Sequence, residues 1–336
     1  MRRLSIALVV ALVAVAAGCG EREEPEDGGA APEQFDLALD WFPNPDHAGI
    51  YEGLERGYFE DAGLAVRPQI PSDPAAPIKQ VAAGRADLAV SYEPEVMLAR
   101  EQGLDVIAVA ALAREPLTSL VSLGKESIDD GRDLDGKRVA TAGIPYQDAY
   151  LRAILEQGGL SDDDVEQVDV GLNLLSPLIA GKVDATLGMF WNVEGVELAQ
   201  RGDDPTVVPV DELGIPTYDE LVLVASRERV AEDPEAIRLF LAALERGTRD
   251  AAEDPAAATA SLLRANDDLD PKLTRAQVDE TLPVLVPGKR GRPYGFMDPA
   301  EWREFAGFMV DEDLIGTAPP IDDMLTNELL PGRIPE

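Results

Sequence analysis

Two stretches of this chain, far apart, are built the same way. Gln80–Ser91 reads QVAAGRADLAVS and Leu178–Gly188 reads LIAGKVDATLG. Each is the end of an apolar helix, a glycine, a basic residue, an aspartate, and then a short apolar strand that delivers a new loop. A helix stopped by glycine and followed at once by a buried strand is the βαβ pattern, whose strands lie parallel and whose helices cover the sheet. Two copies are too few for a solenoid. They predict two similar α/β lobes, each with a sheet edge facing a shared cleft.

The rest of the pattern agrees. Strands are predicted at Phe35–Asp40, Ala65–Ile70, Ala86–Ser91 and Asp105–Leu112, with helices at Ala48–Phe59, Pro74–Ala83 and Val96–Gln102 between them. Leu117–Leu123 reads as the last strand of the first lobe before a crossing. Beyond it come strands Arg138–Thr141, Val165–Val170, Ala185–Gly188, Thr206–Val210 and Leu221–Ser226, with helices Gln147–Gln157 and Asn173–Ala180. The remainder turns helical: Asp233-Pro234 opens a helix to about Asp250, followed by Pro255–Arg264, Thr274–Thr281 and Pro299–Asp311, and this tail is expected to fold back on the first lobe. The predicted division is residues 35–124 for the first lobe, 125–223 for the second, and 224–336 for the return and the tail.

Ahead of the first strand, Arg2 and Arg3 precede an apolar run from Leu4 to Ala17, too short for a comfortable membrane span and suited to a secretory signal. It ends in Ala16-Ala17-Gly18-Cys19, which looks like a bacterial lipobox with Ala16 where leucine is usual. Residues 1–19 are therefore read as a lipoprotein signal peptide with lipidation at Cys19, ordinary signal-peptidase cleavage being the alternative. Gly20–Gln34 is polar, with Pro and Gly and no apolar period, and reads as a flexible tether. The expected address is the outer face of the cytoplasmic membrane, held through lipid alone. A net charge of −35 argues against a nucleic-acid partner.

The predicted loops at the strands' carboxyl ends hold most of the chemistry, where open α/β folds bind ligands. In Asp40-Trp41-Phe42-Pro43-Asn44-Pro45-Asp46-His47-Ala48-Gly49, two prolines stiffen a loop that presents an indole, an amide and the chain's one histidine. Other loops carry Tyr92; Tyr146; Trp191, Asn192 and Glu194; and Tyr218 and Glu220. Aromatics are only 5% of the chain, so their gathering at loop tips points to a flat ligand. Trp41, Tyr92, Tyr146 and Trp191 are candidate stacking walls; Asn44, His47, Asn192, Glu194, Tyr218 and Glu220 are candidate polar contacts. A carboxylate can accept a bidentate pair from an aminopyrimidine's ring N–H⁺ and exocyclic amine. For any one of these aromatics, core packing is as ordinary a role as ligand contact. No Lys or Arg lies in these loops, which disfavours a sulfonate; Arg114, just after a strand, has no evident role. The motifs GxGxxG after a strand, GxxxxGK[ST], HExxH and GxSxG are absent, and one His and one Cys exclude metal sites built on those residues. No cofactor, metal or catalytic residue is expected, nor an oligomer.

The chain resembles the NMT1/THI5-like proteins, which include periplasmic-type binding proteins of ABC importers. The resemblance is carried by Leu39–Gly49, by Gly57-Tyr58-Phe59 with Gly63-Leu64, by Gly84-Arg85-Ala86-Asp87, and by Glu212-Leu213-Gly214 with Tyr218-Asp219-Glu220-Leu221. It implies a type II periplasmic-binding fold, two α/β lobes with a hinged cleft, and is nearest the branch that binds formylaminopyrimidine, a thiamin-pyrimidine precursor. The implied partners are a small heterocycle and an ABC permease. Riboflavin or a sulfonate such as taurine is the alternative cargo on the same fold. Some relatives are pyrimidine synthases with a cysteine-rich stretch after the Glu-Leu-Gly motif; this chain has Ile215-Pro216-Thr217-Tyr218-Asp219 there. His47 matches a position implied in those synthases' chemistry.

Overall fold

The computed structural model describes residues 31–71, 76–124, 127–171, 173–286 and 292–332. The signal segment, Cys19 and residues 20–30 of the expected tether lie outside these. Glu33 and Gln34, expected to end the tether, instead begin the first strand. No described helix is long and apolar enough to cross a membrane.

Pro32–Glu336 forms one compact unit. Its described strands are β1 (Glu33–Ala38), β2 (Leu64–Gln69), β3 (Leu88–Ser91), β4 (Val106–Ala113), β5 (Thr118–Leu123), β6 (Arg138–Thr141), β7 (Glu166–Asp169), β8 (Ala185–Phe190), β9 (Pro205–Pro209) and β10 (Leu221–Ser226). They make two five-stranded sheets, ordered β2-β1-β3-β10-β4 and β7-β6-β8-β5-β9. In each sheet the first three strands run parallel and the fourth runs antiparallel to its neighbours. That fourth strand is the one that has just crossed: β5 follows β4 out of the first sheet, and β10 follows β9 back into it.

The repeated sequence pattern has a structural counterpart. Its two copies deliver β3 and β8, which hold the same place in the two sheet orders. The aspartate before each strand does the same work. Asp87 accepts the backbone N–H of Asp36 at 2.7 Å and Asp184 accepts that of Arg138 at 2.8 Å, each tying its strand to the one beside it. A guanidinium neutralises each carboxylate, Arg229 on Asp87 at 2.8 Å and Arg138 on Asp184 at 2.8 Å.

Both expected lobe boundaries move. Leu117–Leu123 was expected to close the first lobe, but β5 pairs with β8 and β9 in the second sheet, so the first crossing lies at residues 114–117. The return was expected after residue 223, but all of β10 lies in the first sheet, so the chain comes back over residues 210–220. An apolar strand looks the same from either sheet; only its partners decide.

The expected helix Ala48–Phe59 is two pieces, Ala48–Glu55 and Tyr58–Asp61, because Gly57 between them takes a left-handed φ of 72°. The helix Pro234–Glu253 covers the outer face of the first sheet, where Phe240 stacks on Phe35 and Phe59 at centroid distances of 5.1 and 5.0 Å. Four tail helices begin at Asp-Pro: Pro234–Glu253, Pro255–Ala265, Pro271–Leu285 and Pro299–Asp311. In each the aspartate caps a first-turn N–H, and the proline, which has no N–H to satisfy, occupies the first helical position.

Candidate functional site

A cavity of about 490 Å³ lies between the two sheets. Its walls come from the loop after β1, Tyr92 after β3, Thr118 at the start of β5, the loop after β6, the end of β8, and the tail around residues 266–277. The tail is therefore part of the site and does more than cover the first lobe.

Of the predicted residues, Trp41, Asn44, Tyr92, Tyr146 and Glu194 line this cavity. Trp41 stands edge-on to Phe42, with centroids 5.7 Å apart, and Phe42 is 54% exposed at the mouth. Asn44 caps the short turn Pro45–His47 by accepting the N–H of Asp46 at 2.8 Å. Tyr92 donates its hydroxyl to Asp40 at 2.8 Å. Tyr146 sits in the first turn of the helix Pro145–Gln157, where its ring packs on Tyr150.

Glu194 lies in a single π-helical turn, Trp191–Gly195, and accepts the N–H of Phe190 at 2.9 Å. Such a turn carries one residue more than an α-turn and is frequent at functional sites. Burial pushes the carboxyl of Glu194 up; the Phe190 N–H opposes this in part.

The other five predicted residues are not on the cavity wall. His47 is fully buried beneath it, with Nε2 2.7 Å from Asp40 Oδ1. Trp191 turns away: its indole N–H donates to the carbonyl of Pro116 at 3.1 Å, and its ring borders a separate groove with Pro205, Val207 and Pro209. Asn192 is fully buried behind the wall and donates to Asp46 at 2.7 Å and to Thr281 at 2.8 Å.

Tyr218 and Glu220 belong to the crossing segments. Glu220 accepts the backbone N–H groups of Leu117 and Thr118, both at 2.9 Å, the Thr118 hydroxyl at 3.0 Å and the Tyr218 hydroxyl at 2.8 Å. That engages both of its oxygens and pins one crossing to the other. A buried Glu beside a Tyr reads identically in sequence whether it faces a ligand or a strand end.

Sequence reasoning passed over several wall residues: Asp40, Asp46, Thr118, Gln147, Phe190, Glu197 and Gln277. The two aspartates flank the predicted loop and were legible there. Gln147 was not, because its place depends on Gly188 of β8. That glycine has φ of 122°, and a Cβ there would meet Gln147 Nε2 at 2.6 Å. Gln277 is brought in by the tail.

The electrostatics lean one way. Asp40, Asp46, Glu194 and Glu197 line the cavity, with Asp268 and Asp270 at its tail side, and among the described lining residues there is no Lys or Arg. For Asp40, burial pushes the carboxyl up, but the charge His47 can carry and the hydrogen bonds from His47 and Tyr92 outweigh it and hold the group below its usual range. Asp46 has no hydrogen bond from His47. Burial pushes it up to about 7, with the Asn192 amide and the charge His47 can carry only partly opposing. A flat molecule with N–H donors or a positive charge suits such walls. An anion would meet carboxylates with no cation to offset them.

A family model described as NMT1/THI5 like matches residues 44–258. The chain is 31% identical to a formylaminopyrimidine-binding protein of Halalkalibacterium halodurans, over 93% of this chain and 95% of that one. It is 29% identical to a 4-amino-5-hydroxymethyl-2-methylpyrimidine phosphate synthase of Aspergillus parasiticus, over 67% of this chain and 69% of that one. Among solved structures, the alkanesulfonate-binding protein SsuA of Xanthomonas axonopodis pv. citri superposes with a TM-score of 0.68 at 16% identity, covering 89% of this chain and 99% of that one, which is a likeness of fold.

Proposed function

Because the chain belongs to the NMT1/THI5-like family, we propose that it is an extracytoplasmic solute-binding protein that captures a thiamin-related pyrimidine, formylaminopyrimidine or hydroxymethylpyrimidine, and delivers it to an ABC permease. The observation that carries this reading is the cavity's lining: Trp41, Tyr92, Tyr146 and Phe190 supply ring faces, and Asp40, Asp46, Glu194 and Glu197 supply acceptors. An aminopyrimidine has a flat face to stack and adjacent nitrogens that donate to one carboxylate. Glu194 is the carboxylate assigned to that pair. Its N–H partner, Phe190, is contributed by the adjoining strand, so the group is oriented before the ligand arrives. Lipidation at Cys19 and a monomeric state belong to the same proposal.

A sulfonate cargo fits the fold but not these walls, since it would face carboxylates with no guanidinium or ammonium among the described lining residues. The synthase reading has a specific likeness behind it, in the relative named for a phosphate ester. A phosphate dianion would meet the same walls, which favours binding of an unphosphorylated pyrimidine.

Calorimetric titration of the full chain with formylaminopyrimidine, hydroxymethylpyrimidine, thiamin, riboflavin and taurine tests the proposal. Micromolar or tighter binding of one of the two pyrimidines is expected, with Glu194→Gln weakening it roughly 10- to 100-fold through loss of a charge-assisted bond. Tight binding of taurine, or an unchanged affinity in Glu194→Gln, would overturn the pocket chemistry.

A further inference from the structure

The turn Trp191–Gly195 is bonded to three separate segments around the cavity. Through Trp191 it holds the first crossing segment at Pro116. Through Asn192 it holds Asp46 of the loop after β1 and Thr281 of the tail helix Pro271–Leu285. Through the carbonyl of Val193 it accepts the side-chain amide of Gln277 from the same helix, at 3.0 Å. That helix in turn packs on the Pro45–His47 turn of the first sheet's loop.

Asn192 is the centre of this arrangement. It is fully buried, and both amide hydrogens are spent, one on each partner. Its Oδ1 is buried with no partner. An amide left half-satisfied in the interior carries a desolvation cost that ordinary packing would select against, since an apolar side chain of the same size would avoid it. What the amide provides is a bridge from the second sheet's turn to two partners, Asp46 of the first sheet's loop and Thr281 of the tail helix.

We propose that Asn192 is a positioning residue: it fixes Asp46 in the cavity wall and joins it through Thr281 to the tail helix, so that the tail clasps the two sheets together across the cavity. The clasp is made of side chains from this protein alone. It therefore acts on the spacing of the two sheets whatever the ligand is, and it does not depend on the pyrimidine reading. The titratable groups His47, Asp40 and Glu194 lie near enough to act on Asp46. Among the described residues, the side-chain hydrogen bond that Asp46 receives from the second sheet's side is the one from the Asn192 amide.

The test uses the full chain without ligand. Hydrogen exchange and small-angle scattering are compared for the native protein, Asn192→Ala, Thr281→Val and Asp46→Asn. Breaking the bridge at Asn192 is expected to raise exchange in residues 191–195 and 271–285 at least 10-fold and to enlarge the radius of gyration, while β1 and β3 keep native protection. Thr281→Val removes only the far acceptor and is expected to loosen 271–285 with a smaller effect on 191–195; it carries the test if Asn192→Ala does not fold. Asp46→Asn keeps an acceptor oxygen for Asn192 and is expected to stay near native in both measurements. Native exchange and dimensions in Asn192→Ala would overturn the proposal. So would exchange that rises evenly over the whole chain, or an Asp46→Asn protein as open as Asn192→Ala.

Discussion

Glu220→Ala is expected to damage the fold, and Glu220→Gln to be nearly harmless, although the charge is lost in both. Glu220 is 1% exposed and receives four hydrogen bonds. One oxygen takes the N–H groups of Leu117 and Thr118 and the hydroxyl of Tyr218; the other takes the hydroxyl of Thr118. Truncation to alanine leaves two backbone N–H groups and two hydroxyls without this acceptor in a region that excludes water. At about 1–3 kcal/mol for each stranded group, discounted because the hydroxyls can turn elsewhere, the loss is roughly 3–6 kcal/mol. Glutamine can put its carbonyl oxygen where three donors converge. Its amide then donates to the Thr118 hydroxyl, which rotates to accept, and every bond survives. Burial already disfavours the charge of Glu220 and pushes its carboxyl up, so neutralising it recovers part of the charge-assisted strength that is given away. The net change for Glu220→Gln is expected to be under about 1.5 kcal/mol. Urea denaturation of the two variants beside the native protein measures both. A Glu220→Gln protein as unstable as Glu220→Ala, or a Glu220→Ala protein within about 1 kcal/mol of native, would refute the assignment of Glu220 to the crossing.

Two further outcomes follow from the packing and the charges. Burial pushes Asp46 and Glu95 up to about 7, and pushes Glu93 and Asp219 up as well. In the unfolded chain these groups lose their protons near their ordinary values of 3.8 and 4.5, while the fold retains them towards 7. The unfolded state then binds fewer protons between about pH 4.5 and 7, so stability should fall across that window as pH rises; Asp40, held low, works the other way only in stronger acid. Thermal unfolding should give a melting temperature several degrees higher at pH 5.5 than at pH 8, and a higher value at pH 8 would contradict the burial argument. Gly247→Ala should cost about 3 kcal/mol or more, because a Cβ there would meet the carbonyl oxygen of Gly49 at 2.4 Å and the backbone of Gly53 at 2.8 Å, where the helices Ala48–Glu55 and Pro234–Glu253 cross. A loss below about 1 kcal/mol in denaturant titration would show that the crossing can yield.

Much of the architecture was legible because it is written locally. Strand and helix periods, the glycines that stop the helices before β3 and β8, and Asp233-Pro234 act over a few residues, and those residues are adjacent in the chain; the same signal at Asp270-Pro271 was passed over, and the helix expected at Thr274–Thr281 runs from Pro271 to Leu285. The paired pattern Gly-basic-x-Asp was legible for a deeper reason. Asp87 and Asp184 each fix a neighbouring strand, so the same bond required the same residues twice. The loop Asp40–Gly49 was legible as a cavity wall from its two prolines and its Trp, and Trp41 and Asn44 do lie there.

What the sequence could not decide is which way a side chain faces once its backbone is fixed. Trp41 and Trp191 stand in similar loops; one borders the cavity, while a π-helical turn rotates the other onto Pro116. Glu194 and Glu220 both follow aromatic residues after a predicted strand or loop; one meets the cavity, the other is consumed by two strand-end N–H groups. His47 is drawn under the wall by Asp40, seven residues back, and the tail helix reaches the site from far along the chain. Local sequence sets dihedral preference and amphipathic period, which suffices to fix the elements and their order. The lobe boundaries, the tail's part in the cavity and the division of carboxylates between hinge and wall depend on long-range partners competing for the same donors, and only the assembled tertiary structure settles that competition.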